Sequence, residues 1–520
     1  MARNFVCSKT EPIVETKAGK LRGFILDGTY TFHGIKYADA KRFQQPTPVK
    51  PWEGVKNALA YGYVSPLLEQ DKPSNEVMIP HRYWPMDENC QYLNIWTQSI
   101  DPNAKKPVLV WLHGGGFVAG SSIEQVAYDG ANMSQYGDVV VVTLNHRLNI
   151  LGYLDLSPFG EKYANSGNAG NADMVAALQW IQENIANFGG DPDNVTLFGQ
   201  SGGGMKVWSL MQTPAADGLF HKGVVQSGCM DHFVQEKPAN GVKIVTAMMK
   251  ELNIADVETL ETLPYADLAA AYNKVAPALR AAREYVGGSP LPNDWYLGDP
   301  VQVGFTEHAK TIPCMVGTVL GEFSFMPALD SEVKNDPDAV DALLTKRYGD
   351  DTPELKKLFA VVYPDKHISD LLFLDSVMRA PSSAFVKAKA QQPESGTYAF
   401  LFTYTFPFDD GHVAWHCSEI PFVFHNTCLM GAYNEEGITD LLEKQMCDAW
   451  LNFARTGKPS SDALPEWPAC TPGDEACMIF DKECAVRHNH DHALIALHKK
   501  AAPPFRFHDD DEDKENQIQH

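Results

Sequence analysis

Short apolar runs alternate with segments of helical period through the first half of the chain. Val108 to Leu112 is apolar throughout and ends in glycines, and Val139 to Leu144 is a second run, closed by Asn145. Runs this short and this apolar predict strands buried on both faces. Between Asn171 and Phe188 the spacing changes, with Val175, Leu178, Ile181, Ile185 and Phe188 recurring every three or four residues. That is one face of a helix, and Gly189-Gly190 supply its stop. Val195 to Phe198, Pro313 to Gly317 and Tyr398 to Tyr404 predict further buried strands, while Leu441, Leu442, Met446, Trp450 and Phe453 mark a late amphipathic helix. The alternation predicts an α/β protein with a central, mostly parallel twisted sheet flanked by helices.

At 520 residues, length alone suggests roughly three domains of about 150 residues. No internal repeat and no long Gly/Ser- or Pro-rich linker divides the chain, so the expected organisation is one large domain over residues 1–508. Helix-rich segments around 234–312 and 330–392 are expected to be insertions that build a cap over the sheet edge. Residues 509–520 form an acidic polar tail, with Asp509, Asp510, Asp511, Glu512, Asp513 and Glu515 against Lys514. Terminal charge blocks of this kind are solvated ends.

The formal net charge is −23, with 44% hydrophobic and 21% charged residues. Such an acidic chain is repelled by nucleic-acid phosphates and anionic membrane surfaces, so neither is an expected partner. The N-terminus has no apolar stretch of signal-peptide type before Lys9 and Glu11. No apolar run is long enough to span a bilayer. The ten cysteines are scattered, and Cys470, Cys477 and Cys484 are spaced more widely than the short loops of zinc sites. A cytoplasmic location is expected.

The chemistry begins at Gly199-Gln200-Ser201-Gly202-Gly203, which fits G-x-S-x-G. A predicted strand enters this motif at Phe198, and a helix-compatible run, Met205 to Met211, leaves it. A sharp strand-to-helix turn exposes the serine hydroxyl, and the flanking glycines avoid collisions with neighbouring backbone. The helix dipole there favours developing negative charge. A second glycine motif, His113-Gly114-Gly115-Gly116-Phe117, follows the run Val108 to Leu112. Backbone N–H groups of Gly115, Gly116 and Gly202 are candidate oxyanion donors for a tetrahedral intermediate. A phosphate-cradling loop is the competing reading, but the segment lacks a downstream Lys-Ser/Thr and its spacing is not G-x-G-x-x-G.

With these residues in view the chain resembles the type-B carboxylesterase and cholinesterase family. The resemblance runs from about Gly19 to Asp481 and includes Phe32 to Ala38, Trp52-Glu-Gly54, Glu88 to Trp96, Asn145 to Gly152, Asn184 to Gly199, Gln226-Ser-Gly228 and Trp450 to Gly457. It implies the α/β-hydrolase fold and a serine carboxylesterase that cleaves small-molecule esters without metal or organic cofactor. The segment Gly317-Thr-Val-Leu-Gly-Glu322-Phe resembles the one that bears the family's acid, which points to Glu322. His416-Cys-Ser-Glu419-Ile-Pro matches the segment that bears the family's histidine. The chain order Ser201, Glu322, His416 is the order this fold uses. His412, four residues earlier, is the rival base but lacks the matched flanks.

The chain also departs from the family pattern. Gln200 stands where Glu is usual before the nucleophile, and Gly202 where Ala is usual, a change that leaves the backbone donor intact. Lys36 replaces a usual Pro, and Ala38 to Phe43 is shorter than in most relatives. Secreted relatives pair the cysteine equivalent to Cys90 with one upstream, whereas Ser65 to Gln70 has none here, so Cys90 is expected unpaired.

The resulting expectation is a Ser201–His416–Glu322 triad working through an acyl-enzyme. Two alternatives stay open: a catalytically silent binding protein on the same fold, and an amidase or acyltransferase using the same triad. His488, His490 and His492 alternate as if on one strand face; a solvated polar stretch is preferred there to a metal clamp. Cys417, beside His416, is either redox-sensitive or simply buried. Tyr83, Trp84 and Phe323 to Met326 are candidate pocket residues and equally candidate core. Substrate identity and oligomeric state are not legible.

Overall fold

The computed structural model describes residues 3–69, 80–236, 238–323, 329–392, 395–408 and 410–505. Twelve strands form its main sheet. In chain order they are β1 (Phe5–Val6), β2 (Phe24–Leu26), β3 (Thr29–Lys36), β4 (Tyr92–Thr97), β5 (Lys106–Leu112), β6 (Val140–Leu144), β7 (Gly190–Gln200), β8 (Lys222–Gln226), β9 (Cys314–Val319), β10 (Thr397–Phe402), β11 (Ala476–Phe480) and β12 (Ala485–His488). Their order across the sheet is β1-β2-β3-β4-β6-β5-β7-β8-β9-β10-β11-β12. From β6 to β11 every neighbour is parallel. Antiparallel strands close both edges, β1 to β4 on one side and β12 on the other.

The centre of the sheet follows from its apolar runs. Val108 pairs with Val140 on one side and Val195 on the other, and Val108 to Leu112 are all buried. Because strand side chains alternate between faces, Val108, Val110 and Leu112 enter one core, while Leu109 and Trp111 enter the core on the opposite face. A strand covered on both sides must be apolar at every position, which is why these runs were legible.

Nine helices carry the rest of the account: α1 (Ala169–Asn184), α2 (Gly202–Met211), α3 (Val242–Glu251), α4 (Tyr265–Ala281), α5 (Pro337–Tyr348), α6 (Thr352–Val362), α7 (Arg379–Lys389), α8 (Thr439–Thr456) and α9 (His492–Ala501). Helix α1 buries Val175, Leu178 and Ile181 on the first core, and Ile185–Phe188 continues it as a 3-10 turn. Gly189, at φ 77°, is the stop by itself, since Gly190 already begins β7. Helix α8 buries Leu442, Met446, Trp450 and Phe453 on the second core. Leu441 is 48% exposed; one position off the stripe turns its side chain about 100° round the helix, so it does not belong to the buried face.

Within 234–312, α3 and α4 share a smaller core with residues 150–163, including Ile244, Met248, Leu268, Tyr272, Ile150 and Leu156. Within 330–392, Val340, Leu344, Leu355, Phe359 and Phe385 join the core on the α1 face. The acidic tail, 509–520, lies outside the described residues.

Candidate active site

Three consecutive parallel strands lead into candidate side chains. Ser201 follows β7, Ser227 follows β8, and Glu322 lies three residues beyond β9. In open α/β sheets the carboxyl ends of strands are where reactive groups gather, because the crevice there is bounded by loops rather than by sheet. His416 arrives from the long connection after β10, just before the short helix Ile420–Val423.

Ser201 has φ 58° and ψ −126°, a region that costs a non-glycine residue of order 1–3 kcal/mol and persists only where its surroundings enforce it. The enforcement is visible at its neighbours. A Cβ on Gly203 would lie 1.9 Å from the carbonyl oxygen of Leu112, and one on Gly199 2.5 Å from the carbonyl carbon of Gly203. Only glycine lets the turn close against β5. Gly202 is packed as tightly: a Cβ there would meet the oxygen of Gly116 at 2.2 Å and its nitrogen at 2.4 Å. The glycine at this departure from the family pattern therefore lets the loop 113–116 press against the first turn of α2.

That loop turns through Gly115 and Gly116, at φ 81° and 62°, with the N–H groups of Val118 and Ala119 both donating to the Gly115 carbonyl. The backbones of Gly116 and Gly202 are thus adjacent, and Gly114 stands beside Ser201, whose Cβ would be 3.5 Å from a Cβ on Gly114. Gly115, Gly116 and Gly202 lie within one patch around the serine.

Glu322 is fully buried. Its Oε2 is 2.5 Å from Nδ1 of His416, and its Oε1 accepts from the Ser227 hydroxyl at 2.6 Å and from the Val319 N–H at 2.9 Å. The backbone N–H of His416 also donates to the Glu322 carbonyl. Two other buried carboxylic acids stand nearby. Burial and the closeness of Glu322 push Glu419 up to about 7, and the same two causes raise Asp375. Both therefore ionise less readily than ordinary carboxylic acids, which limits negative charge around the His416–Glu322 pair.

Gln200 links the serine turn to the histidine. Its side-chain nitrogen lies 3.3 Å from both ring nitrogens of His416, and its oxygen accepts from the Cys417 thiol at 3.1 Å. Burial, then Glu419 and Glu322, push the Cys417 thiol up. It stays protonated, and its donor orients the Gln200 amide. A redox-reactive thiolate is not what this environment favours.

Most of the other candidates make their contacts elsewhere, and Phe323 packs on His416. Nδ1 of His412 is 2.8 Å from the Val413 carbonyl, and its ring packs on Phe408 and Trp415. Trp84 packs edge-on to Tyr61, and Tyr83 is 66% exposed. Phe323 lies over His416 at 4.8 Å between ring centroids and stacks on Phe505 at 4.5 Å; Ser324 to Met326 lie outside the described residues. The histidine triplet does not share a strand face, because β12 ends at His488 and α9 begins at His492. Glu475, Asp491 and His492 bring ligand-type atoms within 4.8 Å of one another, yet the Arg379 guanidinium already bonds both carboxylates. All ten cysteines, Cys90 among them, are free thiols.

A model of the carboxylesterase family matches residues 10–496. The chain belongs to the carboxylesterase family. It is 33% identical over 494 residues to a para-nitrobenzyl esterase of Bacillus subtilis (strain 168), covering 92% of this chain and 97% of that one. It is 31% identical over 504 residues to a phenmedipham hydrolase of Pseudarthrobacter oxydans, covering 92% and 96%. Among solved structures, an esterase from the anaerobe Clostridium hathewayi, described as able to hydrolyse aliphatic aromatic polyesters, superposes with a TM-score of 0.93 at 55% identity, covering 96% of this chain and all of that one. The carboxylesterase accordingly has the α/β-hydrolase fold and is a serine hydrolase of carboxylic esters. No helix among its described residues is long and apolar enough to cross a membrane.

The hydrogen bond from Ser227 to Glu322 is a contact that sequence reasoning missed. The block Gln226-Ser-Gly228 carried the signal, but only the pairing of β8 beside β9 brings its hydroxyl to Glu322.

Proposed function

We propose that Ser201 is the nucleophile, His416 the general base and Glu322 the acid that fixes the imidazole, with the N–H groups of Gly115, Gly116 and Gly202 as the oxyanion hole. The observation that carries this reading is the 2.5 Å contact between Glu322 and Nδ1 of His416, next to a serine in a strained strand-to-helix turn. Nε2 of His416 takes the proton as the Ser201 hydroxyl attacks the ester carbonyl. Glu322 stabilises the imidazolium that forms. The alcohol leaves with that proton, and water cleaves the acyl-enzyme.

The substrates are small esters with an aryl group next to the scissile bond. Support comes from Phe323 over His416, from Phe505 stacked on Phe323, and from Phe233, whose ring is in contact range of Gly116. The similarity to an esterase described as acting on aliphatic aromatic polyesters points the same way. The helical segments 234–312 and 330–392 are the cap that shapes access. The net charge of −23 argues against nucleic-acid and anionic-membrane partners. Ten free thiols support a reducing, cytoplasmic location.

The test is a panel of p-nitrophenyl esters of rising chain length beside alkyl esters of aliphatic and of aromatic acids, assayed on the enzyme and on Ser201→Ala, with organophosphate labelling of the Ser201 peptide. Ser201→Ala is expected to lower kcat by about 10⁴- to 10⁶-fold and to remove the label. A variant that keeps activity would end the nucleophile assignment. A preference for long alkyl over aryl esters would end the substrate reading.

A further inference from the structure

Among the described residues, Lys206 is a cation next to the serine turn whose hydrogen-bond partner is not a carboxylate. Lys206, in the second turn of α2, is fully buried. Among the described residues its ammonium makes one hydrogen bond, donating to the backbone carbonyl of His113 at 2.8 Å. An amine taken out of water without a carboxylate partner is expensive, so its presence calls for a role.

The geometry of α2 suggests one. Gly202 and Lys206 are four residues apart and therefore lie on one face of the helix, one turn above the other. That face meets the loop 113–116 at two points. At the first turn, Gly202 presses against the backbone of Gly116. At the next turn, Lys206 holds the carbonyl of His113, the peptide through which the chain enters Gly114, Gly115 and Gly116. A peptide unit is planar, so fixing that carbonyl also fixes the direction of the Gly114 N–H and the start of the glycine turn.

We propose that Lys206 is a positioning residue for ester hydrolysis: by holding the His113 carbonyl it keeps the N–H groups of Gly115 and Gly116 aimed at the developing oxyanion. The inference rests on the reading of residues 115 and 116 as oxyanion donors. The groups facing the ammonium are His113 and His146, whose rings stack at 5.4 Å, and, farther off, Glu124. Burial, then the charge of Lys206, hold both imidazoles neutral. Burial pushes Lys206 down to about 7, with Glu124 pulling the other way. The cationic form, which makes the stronger bond to a carbonyl, is therefore lost as pH rises above neutrality.

The experiment compares the enzyme with Lys206→Met, which removes charge and donor at similar volume, and with Lys206→Gln, which keeps a neutral donor. Steady-state kinetics are measured from pH 6 to pH 9, together with inhibition by a trifluoromethyl ketone that mimics the tetrahedral state. Loss of a direct oxyanion donor costs about 10²–10³ in kcat, and an indirect loss is expected at roughly 10- to 100-fold. Lys206→Met should lose that factor in kcat with KM changed less than about two-fold, bind the ketone more weakly in proportion, and lack the enzyme's decline at alkaline pH. Lys206→Gln should lie between the two. Wild-type kcat and ketone affinity in Lys206→Met would overturn the proposal. So would a loss confined to KM, or a failure of both variants to fold, which would assign Lys206 to stability. Ser201→Ala assayed alongside separates the two readings: if it stays active the nucleophile is wrong, and if it is dead while Lys206→Met is unimpaired only this inference fails.

Discussion

The hydroxyl of Ser227 donates to Oε1 of Glu322 at 2.6 Å, so the carboxylate that meets His416 through Oε2 is anchored on its other side. A carboxylate free to rotate would present its oxygens to the imidazole in varying orientations. One held by a hydroxyl and by the Val319 N–H presents a fixed one.

Ser227→Ala is expected to lower kcat about ten-fold while leaving KM near its original value, since it loosens Glu322 without touching substrate. Glu322→Gln should be far worse, of the order of 10⁴-fold, because the amide favours the wrong imidazole tautomer. Stopped-flow acylation rates with a p-nitrophenyl ester check both. Equal losses in the two variants would contradict a supporting role for Ser227.

The Gln200 amide faces both ring nitrogens of His416 at 3.3 Å, and replacing it with a carboxylate changes the local charge. A negative group at that distance favours the imidazolium, which is inactive as a base. Gln200→Glu should therefore move the acidic limb of the kcat/KM profile upward by about one pH unit, with the plateau reached later as pH rises. A limb that stays in place or moves down refutes the charge argument.

Arg379 bonds Asp491 through Nε and Nη2 and Glu475 through Nη2, and all three side chains are buried. Burial alone would raise both acids, but the guanidinium and its hydrogen bonds draw Glu475 and Asp491 below the usual carboxylate range. Lowered acids stabilise the fold at pH values above their unfolded range, near 4, and that contribution disappears as pH falls through their folded values. Arg379→Met takes the guanidinium away from both buried carboxylates, leaving Glu475 the His492 imidazole, and should destabilise the protein by about 3–5 kcal/mol at pH 7. In the variant the trend reverses, stability falling as pH rises through neutrality, because the acids must then ionise without the guanidinium. Urea unfolding followed by circular dichroism between pH 3 and pH 8 measures both slopes.

The parts of the fold that were legible are those where one local rule decides. Val108 to Leu112 and Val140 to Leu144 are buried on both faces, so apolar continuity marks them without help from context. The antiparallel edge was not legible. Strands β1 and β2 are two and three residues long and only partly buried, and only their neighbours in the sheet make them strands. The same contrast explains Leu441, whose spacing fits a helix but whose one-residue offset turns it to solvent.

At the site, glycine spacing pointed to position 201 and to the loop 113–116, because a strand-to-helix turn and an oxyanion loop can be built only from small residues in fixed places, whereas positions 322 and 416 came from the resemblance to the family. Contacts made across chain distances of 93 or 95 residues, Lys206 to His113 and Ser227 to Glu322, leave no local pattern. In the sequence Lys206 is one residue of the helix-compatible run Met205 to Met211, and Ser227 one of the block Gln226-Ser-Gly228 that resembles the family. Only the tertiary structure decides that one is a buried cation behind the glycine loop and the other an anchor for an acid. The physical reason is that desolvation and hydrogen-bond partners belong to a position in space, and packing of the parallel strands sets that position.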